Sequence, residues 1–408
     1  MLPPNPYRPG AGHPPPHLAG RSKEKAIFEK LLNEVVVTKN LIITGLRGVG
    51  KTVLLDSLKP IASKKHWIWT STDLSESASI NEESLARRII TDIALVTSEI
   101  PIPVDKKITT GFVPDEEIVY QKLDYRFLSN YYNNAPGLVS DKLTSLFVFV
   151  WEIVKNLSQK GIIFAYDEAQ TMDDHAQSGQ FPLSVLLGVF QSIQKRGIPF
   201  LLILTGLPTL AAKLVETRTY SERMFNVITL DSLNKGESRE AIVVPLTQGG
   251  TLLSSKTPLL FSEKSIDSII ETSGGYPYFI QFICKEAYEA LGQKIIEGIT
   301  PSVPIEAIVH KLDEDFFSGR WVRATERQQD LLRIIARLNK EEITPKDIAD
   351  SAHNSGKKVF RQAAQIIKML GDLTERGLVY KNKRGVYRLA VPMLGDYIRR
   401  NFCDQKQG

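Results

Sequence analysis

A chain of 408 residues, 42% hydrophobic and 24% charged, is too long for one ordinary hydrophobic core and has the make-up of a soluble folded protein of two or three domains. No run of eighteen apolar residues predicts a membrane span, and two distant cysteines, Cys284 and Cys403, without a CxxC or Cys/His cluster argue against structural zinc and fit a reducing compartment. The net charge of +5 is uneven: residues 319–408 hold nineteen Lys and Arg against ten Asp and Glu, a surplus of nine that leaves the preceding part at −4 and points to nucleic acid or an acidic partner for the C-terminal end.

The first twenty residues contain seven prolines and predict an extended arm over 1–17; they lack the apolar stretch of a secretory signal, so a cytoplasmic location is expected. From Leu18 onward, short apolar runs alternate with helical patterns. The runs at 41–44, 67–70, 162–166, 200–204 and 227–230 predict a doubly wound α/β domain with a parallel sheet over 18–232. The interval 101–141, with YRFLSNYYNNAPG, breaks the alternation and reads as an insertion between the second and third strands. After Asp231 the strands stop, and helical spacing around 264–272 and 276–291 predicts a small helical lid over 233–318. The remainder, 319–408, reads as three helices and then a hairpin.

The strand-like NLIIT leads into GLRGVGKT and then into the helical VLLDSL, which is the phosphate-binding GxxxxGKT pattern in strand, loop and helix context. The expected nucleotide cradle is Gly45, Leu46, Arg47, Gly48, Val49, Gly50, Lys51, Thr52 and Val53. Its glycines allow a tight loop whose backbone N–H groups converge on phosphate at a helix N-terminus. Lys51 is expected to neutralise the β and γ phosphates, and Thr52 to ligate Mg²⁺. In GIIFAYDEAQ an apolar strand ends on two adjacent acids: Asp167 suits the Mg²⁺ shell and Glu168 the orientation and polarisation of an attacking water. A further strand, PFLLILTGLP, ends on Thr205, whose hydroxyl is expected beside the γ phosphate or the water. Arg21 in LAGRSKEKAIF, Arg223 in SERMFNVITL, and Gly275 and Pro277 in GGYPYFIQF complete the set. ATP and Mg²⁺ are the expected cofactors and ATP hydrolysis the expected reaction.

Near the C-terminus, Thr344 is a candidate N-cap and Pro345 a first helical residue. After the HNSG turn, Phe360, Ala363, Ala364, Ile367 and Leu370 predict an apolar stripe, with Lys358, Arg361, Gln365 and Lys368 on the opposite face. Tyr380 to Leu389 alternates around NKRG and predicts a hairpin. The module resembles a winged helix-turn-helix. Its candidate contacts to double-stranded DNA are Lys357, Lys358, Arg361, Gln362 and Gln365 on the helix, and Lys381, Lys383 and Arg384 on the wing.

The order of GR box, GxxxxGKT loop, strand ending in DE, strand ending in TG-hydrophobic-P, Arg before the fifth strand and GGYP resembles AAA+ P-loop ATPases of the origin-recognition and STAND neighbourhood. It is also similar to bacterial ATP-binding proteins with a PGAG-x-PP-x-LAGR entry and a C-terminal winged helix. The resemblance spans nearly the whole chain. It implies that Thr205 is the sensor-1 residue, that Arg223 is an arginine finger, and that Leu18, Gly20 and Arg21 with Tyr276 and Pro277 enclose the adenine. GGYP stands where origin-recognition proteins carry a sensor-2 arginine, a departure toward the STAND pattern. The expected function is an ATP-binding and ATP-hydrolysing switch acting on DNA, with nucleotide-dependent self-association. The alternatives are a STAND-like signalling or defence adaptor whose winged helix docks a protein, and a replication-loading or transposition-targeting ATPase.

Overall fold

The computed structural model describes residues 4–10, 12–105, 118–248, 261–296, 302–354, 362–383 and 385–403. It divides into two compact units: Ser22–Thr44 with Leu54–Thr229, and Met1–Arg21 with Gly45–Val53 and Leu230–Gly408.

The first unit is built on the predicted strands, here β1 (Asn40–Gly45), β2 (Trp67–Asp73), β5 (Gly161–Asp167), β6 (Phe200–Gly206) and β7 (Phe225–Leu230). They form a parallel sheet in the order β2-β5-β6-β1-β7. All seven residues of β5 and of β6 are buried, which explains their unbroken apolar runs: a strand covered on both faces has no polar side to alternate with. Phe147, Phe164, Phe190 and Phe200 cluster with ring centroids 5.2–5.6 Å apart. Asn40 is fully buried yet satisfied, because its side-chain oxygen accepts from the Leu202 backbone N–H and from Gln194. The stretch predicted as an insertion contains the antiparallel hairpin β3 (Pro101–Asp105) and β4 (Ile118–Lys122), followed by the helix Tyr125–Asn134.

The second unit is mainly helical. Its helices include Lys235–Gln248, Glu263–Ser273, Pro277–Ile296, Ile305–Leu312, Glu326–Leu338, Pro345–Asn354 and Ala363–Glu375. They precede the antiparallel hairpin of β8 (Val379–Lys383) and β9 (Val386–Leu389). Ile343 extends that hairpin by exchanging two backbone hydrogen bonds with Tyr387, 2.9 and 2.8 Å. Thr344 caps the helix Pro345–Asn354: its hydroxyl accepts from the Asp347 N–H at 3.1 Å, and the Asp347 carboxylate accepts from the Thr344 N–H at 2.9 Å. A single hydrophobic core runs from Phe279 and Ile283 through Phe317 to Leu331, Leu370 and Ile398. Residues 4–10 and 12–20 carry neither helix nor strand, but Tyr7 is buried in this core and its hydroxyl bonds to the Ile242 carbonyl.

One sequence expectation is corrected here. The buried stripe of Ala363–Glu375 is Ile366, Leu370 and Leu373, while Ile367 is 49% exposed and Ala363 and Ala364 face solvent. An i, i+4, i+7 set of branched side chains buries far more apolar area than one led by alanines, so it sets the phase of the helix.

Candidate functional site

Within the helical unit, the loop 45–50 leads from β1 into the helix Lys51–Lys64. Gly50 has φ +93°, a conformation that side-chain-bearing residues avoid, and a Cβ placed on it would meet nothing within 4 Å. The backbone of the loop is thus uncovered at this glycine. Lys51 is only 9% exposed, and its ammonium donates to the carbonyls of Gly45 and Leu46 at 3.0 and 3.1 Å. Arg21, also buried, donates to the carbonyls of Val49 and Asp231 at 3.0 and 3.1 Å, so the predicted GR box fastens the loop to the chain after β7.

The GGYP motif reaches the same loop. Gly275 has φ +75°, and a Cβ there would lie 2.3 Å from the Leu233 carbonyl oxygen, which explains why glycine stands at that turn. Pro277 begins the helix Pro277–Ile296. The Tyr278 N–H, one of the donors that a helix start leaves without an intrahelical partner, donates to the Gly48 carbonyl at 3.2 Å. Tyr276 is half-buried, its ring edge-on to Phe279 at 6.3 Å. Leu18 and Gly20 are half-buried.

In the α/β unit, Asp167 closes β5 and is 3% exposed. Its Oδ1 accepts from the Glu168 N–H at 2.8 Å and from the Thr205 hydroxyl. Thr205, fully buried, thereby orients the carboxylate from the neighbouring strand. Glu168 takes φ +52°, ψ +31°, a left-handed conformation that costs a non-glycine residue roughly 1–2 kcal/mol. It turns off the strand end and its carboxylate accepts from the Gln170 amide, whose oxygen in turn accepts from the Leu207 N–H at 3.1 Å. Arg223 is exposed on the short helix Ser221–Met224 and lines a cavity of about 340 Å³ with Thr38, Gln194, Lys195 and Tyr220.

Sequence reasoning missed two acids beside Asp167. Asp73, the last residue of β2, is its register partner across the parallel pair. Burial, then the charges of Asp167 and Glu168, raise the Asp73 carboxyl above its ordinary range; Asp56 is raised by burial, then by Asp167 and Asp73. The alignment of two strand ends was the available signal, since TSTD and AYDE each finish on an acid. Oxygen donors alone and crowded negative charge suit a hard cation such as Mg²⁺ that keeps most ligands from water and phosphate. Among the described residues no group of three or more His, Cys, Asp or Glu side chains encloses a metal.

Of the candidate DNA contacts, Gln365 and Lys381 are exposed and Gln362 is the N-cap residue of Ala363–Glu375, with extended backbone. Lys383 is described as a strand residue paired with Val386. Lys357, Lys358, Arg361 and Arg384 lie outside the described residues. Among the described residues no helix is long and apolar enough to cross a membrane.

Comparison with known proteins places the chain in a fold class, the α/β fold with a parallel five-stranded sheet and a helical part that the Aeropyrum pernix ORC2 protein also has. The chain is similar to the Aeropyrum pernix ORC2 protein in its ADPNP-ADP complexes, with a TM-score of 0.55, 16% identity and 96% of each chain covered. The ADP form of that protein gives 0.53 at 16% identity, covering 96% of this chain and 97% of that one. Cdc6p from Pyrobaculum aerophilum gives 0.46 at 15% identity, with 96% of each chain covered. Residues 314–398 match a family described as "Domain of unknown function (DUF8462)". No curated protein matches the chain.

Proposed function

We propose that this chain is an ATP-binding, ATP-hydrolysing switch of the AAA+ kind. The observation that carries the reading is the Tyr278 N–H bonded to the Gly48 carbonyl, which makes the phosphate-binding loop and the first turn of the GGYP helix one hydrogen-bonded element. A nucleotide that reshapes the loop therefore acts on that helix and on the core it shares with the C-terminal module. The ADPNP-ADP complexes of the similar ORC2 protein support a nucleotide as the ligand.

In this reading Gly45 to Val53 cradle the phosphates, Lys51 neutralises them, and Thr52 and Asp167 hold Mg²⁺, which lowers the charge on the phosphates when bound. Glu168 positions and polarises the water, Thr205 fixes the Asp167 carboxylate, and Leu18, Gly20, Arg21, Tyr276 and Pro277 surround the base. Arg223, exposed, acts as a finger on the nucleotide of a second copy. The three helices and hairpin at the C-terminus form a winged helix that binds duplex DNA, since the positive surplus concentrates there. Turnover measured over a range of protein concentrations, with and without duplex DNA, tests the reading. Hydrolysis that rises with concentration and with DNA is expected. A rate independent of concentration in a monomer removes the finger role, and tight ATP binding without turnover under any condition replaces the enzyme by the STAND-like adaptor, to which GGYP lends support.

A further inference from the structure

A cavity of about 250 Å³ in the helical unit is lined by four arginines, Arg47, Arg320, Arg323 and Arg376, with Asp315 as the carboxylate among its lining residues. Arg47 belongs to the phosphate-binding loop, yet its guanidinium packs on Gly377 in the turn between Ala363–Glu375 and β8, where a Cβ would lie 3.3 Å from Nη2. Arg320 lies over the Phe316 ring, its Cζ 3.8 Å from the centroid, and donates to the Phe316 carbonyl. Arg376 donates to the Arg323 carbonyl at 2.5 Å. Burial, then the charge of Arg47, with a smaller contribution from Arg323, holds Arg320 below the usual guanidinium range. Among the described residues, none of the four forms a salt bridge with a carboxylate.

Four like charges around one small cavity repel unless an anion joins them. We infer that this cavity binds a phosphate oxyanion, either free phosphate or the phosphate end of a small monoester, and so links Arg47 of the loop to the C-terminal module. Guanidinium forks match the tetrahedral oxygens of phosphate in bidentate fashion, and a dianion offsets more of the surplus charge than a single carboxylate does. The volume admits a phosphate or a small ester, and a duplex is far too large to enter. The two sites share Arg47 but use different parts of it: the cavity takes its side chain, whereas the proposed ATP cradle takes the backbone of the loop together with Lys51.

The test is calorimetric titration of the full chain with inorganic phosphate and with glycerol phosphate, at constant ionic strength in KCl, and with malonate as a dicarboxylate control. In Lys51→Ala, which removes the phosphate contact of the loop itself, phosphate binding at the arginine cavity is expected to persist. Arg323→Gln with Arg376→Gln, two exposed side chains, is expected to weaken it at least about tenfold, and Arg323→Lys with Arg376→Lys to weaken it less. Binding of both phosphate compounds identifies a monoester end as an acceptable source, and binding of phosphate alone identifies the free ion. Loss of binding in Lys51→Ala alone assigns the anion to the loop and overturns the inference, as do unchanged binding in the glutamine pair, equal binding of malonate, or no binding in wild type. ATP turnover plays no part in this readout, so its failure and the failure of the ATPase reading are separable.

Discussion

Asp73 and Asp167 face each other as register partners at the ends of adjacent parallel strands, with the Leu74 N–H donating to the Asp167 carbonyl at 2.9 Å. Their carboxylates repel. Because the Asp73 carboxyl is raised in the folded protein, its ionisation opposes folding: the folded state is favoured below the ordinary carboxylate pKa, and that advantage is lost as pH rises through the raised value. Asp73→Asn is therefore expected to raise the melting temperature at pH 7 and to lose that gain below about pH 4, where the carboxyl is protonated in both states. Mg²⁺ with ATP should narrow the difference between the two proteins. Thermal melts at both pH values check this, and an equal or lower melting temperature for the variant at pH 7 refutes it.

Two glycines separate stability from binding. Gly275→Ala forces a Cβ against the Leu233 carbonyl at positive φ and is expected to destabilise the protein by more than about 2 kcal/mol, seen in chemical denaturation. Gly50→Ala meets no neighbour, so its cost in stability is confined to the backbone strain of a side chain at φ +93°. It should leave a folded protein whose ATP affinity falls at least about tenfold, read by nucleotide titration.

Much of the α/β sheet was legible because its central strands are buried on both faces, as the apolar runs GIIFA and FLLIL are, and because glycine-rich and acidic punctuation marks where they end. The phase of the helix Ala363–Glu375 was not. Alanine and isoleucine carry equal weight in a spacing pattern but unequal area in a core, so Ile366 displaced Ile367. Pairings between distant segments also escaped, among them Tyr278 with Gly48 and Asp73 with Asp167, because strand order and helix docking decide them. The left-handed Glu168 has no sequence signature, since an acid there reads like any other strand end.

If the C-terminal module binds duplex DNA through phosphates, affinity should fall steeply with salt. Replacing Lys358 and Lys383 by Ala in the full chain is expected to reduce the slope of log K against log salt by about two units. Changing Gln362 and Gln365 should alter sequence preference more than the slope, because amide side chains read adenine edges while lysines neutralise phosphate. Fluorescence anisotropy with labelled duplexes at several salt concentrations distinguishes these outcomes, and no binding at low salt leaves the module as a protein-docking element.

The central claim is that Lys51 and Glu168 divide binding from chemistry, and it is tested most directly by measuring ATP affinity and steady-state turnover in wild type, Lys51→Ala and Glu168→Gln. Removing the Lys51 ammonium withdraws phosphate charge neutralisation, so affinity should drop at least about tenfold. Glu168→Gln keeps the shape and the polar contact but cannot take a proton from water, so ATP should bind as in wild type while turnover falls by about 10²-fold or more. Turnover of Glu168→Gln equal to wild type, or ATP bound equally well by Lys51→Ala, contradicts the account.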